Sequence, residues 1–291
     1  MALDLVEALL RTQALRVAPP GEVFWYTSGT VGPYYIDTHF LCGGPQVATE
    51  LLAVIDRERD DRRSLPAVLC RHFAECYARH EVYRAVIDLL GDALQAAGVR
   101  PSHVSGGERR DWFFSTALAA RLSVPHLLLH KSGDWQVAEP DGTLLGARQL
   151  AGAQVAHVAD LVTEASSYLR SWIPTVRRAG ARMALSLNVV DRGQGGLAAI
   201  EAAGVPARAL VRVDGELFDR LLAAGAIDAT QHAMLRAYLA DPRGSMRAFL
   251  LENPEFLRDA LASRDPRIAA RAQILLRENQ YGLDLRSLGL G

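Results

Sequence analysis

The chain has 291 residues, enough for one large domain or for a core domain with an appendage, and enough to bury a sizeable core. Its 32 Lys and Arg against 33 Asp and Glu leave a formal charge of -1 with the signs interspersed, so no basic field points to nucleic acid or an anionic membrane, and small-molecule chemistry is the expectation. No apolar run approaches the ~18 residues of a spanning helix, the N-terminal stretch is acidic where a leader would be basic, and Cys42, Cys70 and Cys76 make no even disulfide framework, which together predict a cytoplasmic protein.

Asp4 with Glu7 has the form of a capping box ahead of Leu5, Leu9, Leu10 and Leu15, and predicts a helix over residues 4–15. Residues 24–26 and 34–37 read as two strands of a hairpin around the turn 28–33, and a helix is expected over 45–55. The charged run 56–63 reads as a solvated connection, and 65–97 as one long helical region. Within it His72, Cys76 and His80 are spaced by four with Cys70 nearby, a pattern that could hold zinc. No Cys-x-x-Cys pair accompanies them, so a packed helix face and no metal site is expected.

A strand over 103–105 is expected to run into Gly106-Gly107-Glu108-Arg109-Arg110-Asp111-Trp112, where glycines let backbone amides approach an anion and two arginines reinforce it. A helix over 112–122 and a strand over 125–130 follow, and Lys131 ends that strand. Lys131 is the only lysine in a chain rich in arginine, which marks a position needing a compact, mobile charge. Residues 132–146 are polar, glycine-rich and aperiodic, as suits a mobile loop over a site.

The centre of the pattern is 154–167. An apolar strand over 155–159 delivers Asp160 at its end, and Thr163, Ser166 and Ser167 gather hydroxyls and amides at the start of a helix over 168–178, forming an anion cradle beside one carboxylate. A strand over 182–190, the turn Asp191-Arg192-Gly193-Gln194-Gly195-Gly196, a helix over 197–203 and a strand over 207–213 complete an alternation that means a parallel sheet with helices on both faces. From residue 214 the pattern is helical only, over 228–240, 245–251, 254–263 and 266–279. The expected division is an α/β domain over 1–213, with a helical insertion at about 57–100, and an α-helical extension over 214–291.

In this order, the Ser28–Asp37 stretch, the Gly106–Trp112 turn, the lysine-bearing loop, and Ala159–Ser167 followed by Val189–Gly196 resemble orotate phosphoribosyltransferase, of the type I phosphoribosyltransferase family. The resemblance covers residues 23–39 and about 101–213. It implies the type I phosphoribosyltransferase fold and transfer of a phosphoribosyl group from phosphoribosyl pyrophosphate to a nucleobase, with magnesium carried mainly by the substrate's oxygens. It also implies a homodimer.

By the same resemblance Asp160 would contact a ribose hydroxyl, and Thr163, Ser166 and Ser167 would hold the 5-phosphate. Arg109, Arg110 and Lys131 would face the pyrophosphate, Arg192 the carboxylate of an orotate-like ring, and Tyr35 the substrate. Lys131 and Asp160 are the catalytic candidates. The chain departs from the family pattern at Ala159, where the first acid stands, at Glu164, which brings a negative charge into a phosphate loop, and at Ala165, where the loop glycine stands. The alternative is a non-catalytic protein of the same fold that binds a nucleotide or phosphoribosyl ligand as a regulator.

Overall fold

The computed structural model describes residues 4–284. Helix α1 (Leu5–Arg11) starts on Asp4, whose side chain accepts the Val6 N–H. The chain leaves it through Gln13 at φ 58°, so Leu15 lies on strand β1 (Leu15–Val17) and not on the longer helix that its spacing predicts. Strands β2 (Phe24–Trp25), β3 (Val31–Gly32) and β4 (Tyr34–Ile36) follow. The expected hairpin is split: β2 pairs with β3, and β4 pairs antiparallel with β1. After a short 3-10 turn (Thr38–Cys42) come α2 (Pro45–Glu58), α3 (Leu65–Arg79) and α4 (Glu81–Ala96). The single helical region expected over 65–97 is two helices, broken where His80 adopts an extended backbone (φ -111°, ψ 107°) that no glycine or proline announces.

The rest alternates. Strand β5 (His103–Gly107) leads to α5 (Trp112–Leu122), then β6 (His126–Leu129), β7 (Trp135–Ala138), β8 (Leu144–Gly146) and β9 (Gln154–Val162). A π-turn (Tyr168–Trp172) runs into α6 (Ile173–Arg178), followed by β10 (Arg182–Asp191), α7 (Gly196–Ala202) and β11 (Ala207–Arg212). Pro174, at the second position of α6, has no N–H and would crowd the carbonyl four residues back; the wider π-turn, closed by Ile173 N–H on the Tyr168 carbonyl, takes up the misfit. Helices α8 (Gly215–Ala223), α9 (Ala229–Ala240), α10 (Pro242–Glu252), α11 (Pro254–Leu261) and α12 (Pro266–Glu278) end the chain, α8 without anticipation from the sequence.

Within the described residues, the chain up to Ala14 joins Asp37–Val213 in one compact unit, and Leu15–Ile36 joins the chain from Asp214 onward in another. The expected division also cuts at 213 but leaves Leu15–Ile36 in the α/β domain. In the second unit Trp25 stacks on Phe256 at 5.4 Å, Tyr34 packs between Phe218 and Tyr238, and Val31 N–H donates to the Tyr281 hydroxyl at 2.9 Å. Strands of two or three residues gain little from their own ladders, so these aromatic anchors supply what pairing cannot.

The first unit holds a seven-stranded sheet in the order β11-β10-β9-β5-β6-β7-β8. The first five strands are parallel, while β7 and β8 are antiparallel additions at one edge. The stretch expected to be a mobile loop over 132–146 is therefore hairpin strand. Gln136 turns its amide inward to the Arg62 carbonyl (2.6 Å) and to His130 Nε2 (2.9 Å), which gives a polar segment buried partners. Strand β9 also runs past its expected end, because pairing with β10 continues to Val162, so Asp160 lies inside the strand. Val155, Ala159, Trp172, Val176 and Ile200 form a core on one face with α6 and α7, and α4 and α5 pack on the strands from the other. Among the parallel strands the order reverses between β5 and β9, the switch point where open α/β sheets bind ligands beyond the strands' carboxyl ends.

Candidate functional site

A cleft of about 410 Å³ opens at that switch point, lined by the carboxyl end of β5 and the turn after it, by Lys131, and by β9 with the turn that follows. One wall is basic. Arg109, Arg110 and Lys131 line it, with Glu108 among them. The Glu108 carboxylate accepts the Lys131 backbone N–H at 3.0 Å and so fixes the tight β6–β7 turn that carries the lysine. The Lys131 side chain is exposed at the cleft.

The facing wall bears Thr163, Ser166 and Ser167. Ser166 and Ser167 open the helix that leads into the π-turn, so first-turn amides that no helical carbonyl reaches sit beside the two hydroxyls. Ala165 takes φ 58°, the left-handed region that glycine favours. Gly196 shows the opposite economy: a Cβ there would run into the Thr163 carbonyl and Val162, so the turn after β10 closes against the hydroxyl loop only without a side chain.

Between the walls lie Asp160 and Asp111, both buried. Burial raises both carboxyls above their ordinary value, and for Asp111 the neighbouring Asp160 charge adds to it; for Asp160 the Arg110 guanidinium pulls the other way. The basic wall is itself partly engaged. Arg109 pairs with Asp56 of α2, and Arg110 lies 3.7 Å from Asp37. The arrangement can hold an anion on each wall and a polyol between them.

The structure thus brings together Arg109, Arg110, Lys131, Asp160, Thr163, Ser166 and Ser167, drawn from three separate stretches of chain. Arg192 and Tyr35 are not among the residues lining the cleft. Arg192 follows β10 and its N–H donates to the Val162 carbonyl at 2.9 Å. The carboxylate expected to orient it, Asp191, accepts the Gly193 N–H (2.9 Å) and pairs with Arg212 at 3.6 Å. Tyr35 belongs to the second unit, where the Arg16 guanidinium stands 5.2 Å from its ring centroid. Glu108 and Asp111 were not singled out by sequence reasoning; the signal at hand was an acid at each end of the arginine pair. Among the described residues no group of three or more His, Cys, Asp or Glu side chains converges to hold a metal, and no helix is long and apolar enough to cross a membrane.

No protein-family model and no curated protein matches this chain. Solved structures do. The UMP synthase of Leishmania donovani is 19% identical with a TM-score of 0.50 over 81% of this chain, which spans 41% of that protein's length. The orotate phosphoribosyltransferase of Aeropyrum pernix is 22% identical with a TM-score of 0.49 over 75% of this chain and 99% of its own. That of Mycobacterium tuberculosis, in complex with 5-phospho-alpha-D-ribosyl 1-diphosphate, is 19% identical with a TM-score of 0.45 over 72% and 94%. At such identity the likeness is one of fold: a mostly parallel α/β sheet of the phosphoribosyltransferase kind, extended by C-terminal helices.

Proposed function

We propose that the chain is a phosphoribosyltransferase of the orotate type, moving a phosphoribosyl group from phosphoribosyl pyrophosphate to a ring nitrogen of a carboxylated base and releasing pyrophosphate. The observation that carries this reading is a cleft at the sheet's switch point with two anion-binding walls of different chemistry and a carboxyl between them. The hydroxyl wall of Thr163, Ser166 and Ser167 suits a 5-phosphate, and Arg109, Arg110 and Lys131 suit a diphosphate. Asp160 suits the ribose hydroxyls.

As the bond from C1 to the diphosphate oxygen breaks and the bond to the base nitrogen forms, positive charge grows on the ribose and negative charge on the leaving group. Fixed cations on the basic wall stabilise the second charge and so lower the barrier. Magnesium would enter with the substrate, carried mainly by the substrate's own oxygens beside Arg109, Arg110 and Lys131, and would add to the charge that stabilises the leaving group. The acceptor class rests on Asp191-Arg192, whose turn closes on the hydroxyl loop at Gly196. A cytoplasmic homodimer belongs to the same proposal and is tested by sedimentation.

A second reading, a non-catalytic binder of a phosphoribosyl ligand, is favoured by the engagement of both arginines with Asp56 and Asp37. Pyrophosphate release from phosphoribosyl pyrophosphate with magnesium, screened over a panel of bases, separates the two. Release with orotate, lost in Arg192→Ala while phosphoribosyl pyrophosphate still binds within a few fold, supports the orotate-type enzyme. Release with an uncharged base alone rejects the acceptor, binding without release supports the second reading, and the absence of binding sinks both.

A further inference from the structure

Strands β5 and β9 are hydrogen-bonded neighbours only as far as Ser105 and His157. Beyond that pair they part: Gly106 and Gly107 continue along β6 at Leu128 and Leu129, while Ala159 and Leu161 continue along β10 at Asn188 and Val190. The cleft exists because of this parting. Parting two buried strands leaves backbone N–H groups facing a gap, and an orphaned buried N–H is costly. One side chain takes both. Asp111 Oδ2 accepts the Gly107 N–H at 3.0 Å, and Asp111 Oδ1 accepts the Asp160 N–H at 3.0 Å.

The surroundings hold that carboxylate in place. Asp111 begins α5, its carbonyl accepting the N–H groups of Phe114 (3.0 Å) and Ser115 (2.9 Å). The adjacent Trp112 is fully buried and donates its indole N–H to the Gly106 carbonyl at 3.0 Å, a second tie to β5. Gly107 has no side chain to interfere: a Cβ there would collide with the Trp172 indole and lie 2.8 Å from Asp111 Oδ2. Behind the carboxylate stands His157, wholly buried, with Nδ1 2.9 Å from the Ser105 hydroxyl and Nε2 4.0 Å from Asp111 Oδ2.

We propose that Asp111 is a positioning residue of the cleft, a carboxylate strap that replaces the missing ladder between β5 and β9 and thereby fixes the separation of the two anion-binding walls and the place of Asp160. This rests on the proposed function for its functional consequence and on the two hydrogen bonds of Asp111 for the strap itself. Asp111 acts through Gly107, which starts the arginine-bearing turn, and through the backbone of Asp160. The ionisable groups around it are Asp160 and His157 of β9 and Tyr168 of the π-turn; Arg110 and Asp37 act on Asp160 from the other side. Because burial raises the Asp111 carboxyl, its charge state, and with it the strength of both bonds, changes above the ordinary carboxylate range.

Backbone amide resonances test the strap without any assumption about activity. In the wild-type protein the Gly107 and Asp160 amide protons should shift together on one titration with a midpoint above the ordinary carboxylate range. Asp111→Asn keeps the shape and one acceptor oxygen but turns an NH₂ toward a donor. It should abolish the shared titration and speed exchange of one of the two amides at least ten-fold. In parallel, phosphoribosyl pyrophosphate with magnesium should bind Asp111→Asn at least ten-fold more weakly, while Asp111→Glu restores part of the affinity. Separate titrations, or none, in the wild-type protein overturn the strap, and that measurement stands even if the variant fails to fold. Equal ligand affinity in wild type and Asp111→Asn overturns the positioning role. A shared titration in a wild-type protein that binds no phosphoribosyl pyrophosphate keeps the strap and removes the function assigned to the cleft.

Discussion

Glu164 is exposed and does not line the cleft, although it sits between Thr163 and the two serines of the hydroxyl wall. A unit charge about 6–8 Å from a phosphate through mostly aqueous dielectric opposes binding by about 0.5–1 kcal/mol. Glu164→Gln should therefore tighten ribose 5-phosphate about two- to five-fold at low ionic strength, and the gain should vanish near 1 M salt, where screening is complete within a few ångströms. Calorimetry at two salt concentrations checks this; no change at low salt would place the phosphate elsewhere. Single residues were legible where their chemistry is unusual for their surroundings, as with the sole lysine and with Asp160 after an apolar run. Asp111 was not. An acid before a tryptophan at a helix start reads as an ordinary cap, and its role as a double acceptor exists only because two strands distant in sequence part beside it.

Helix α5 and strands β6, β9, β10 and β11 were legible, and the β7–β8 hairpin was not. The α5 helix over 112–122 and the alternation from β9 to β11 follow from apolar runs, whereas β7 and β8 are four and three residues each inside a stretch rich in polar residues and glycine. Their signal is the turn Pro140-Asp141-Gly142: Asp141 Oδ1 accepts the Thr143 N–H at 2.8 Å, and the Gly142 N–H closes on the Glu139 carbonyl at 2.9 Å. The hairpin is also seated. Gly142 takes φ 89°, and a Cβ there would lie 2.7 Å from the Ala67 Cα at the start of α3. Gly142→Ala combines left-handed strain with a clash against backbone that cannot yield, so a loss of about 1–3 kcal/mol is expected from urea unfolding. Stability equal to wild type would show that the hairpin does not rest on α3. The β6–β7 turn carrying Lys131 is tied to the Glu108 carboxylate through the Lys131 N–H at 3.0 Å. Lys131→Arg should lower turnover while leaving the melting temperature unchanged, because only the exposed charge changes shape; a large fall in melting temperature would make the lysine structural.

At the scale of the whole molecule, Leu15–Ile36 is joined to the C-terminal helices by aromatic contacts more than two hundred residues apart in sequence, which no local pattern records. The first unit carries a charge balance that sets its response to acid. Burial holds His39, His126 and His157 at about 3, down from 6.5, so all three are neutral in the folded unit and charged when it unfolds in mild acid. Between those values the unfolded chain binds more protons than the folded one, and stability falls as pH falls. Asp111 and Asp160 act in the opposite sense, because carboxyls raised on folding contribute stability that is lost as pH rises through their folded values. Three imidazoles outnumber the coupled pair by at least one proton, and each net proton is worth about 1.4 kcal/mol per pH unit. Urea unfolding between pH 7 and pH 4 should accordingly show stability falling toward acid. His126→Gln, which removes an imidazole 2.9 Å from the Ser115 hydroxyl, should reduce that slope by about one proton even though it lowers stability at pH 7. A stability that is flat or rises toward pH 4 would mean that these histidines take up protons within the folded state, and that their burial is looser than the packing of β6 and β9 against their helices implies.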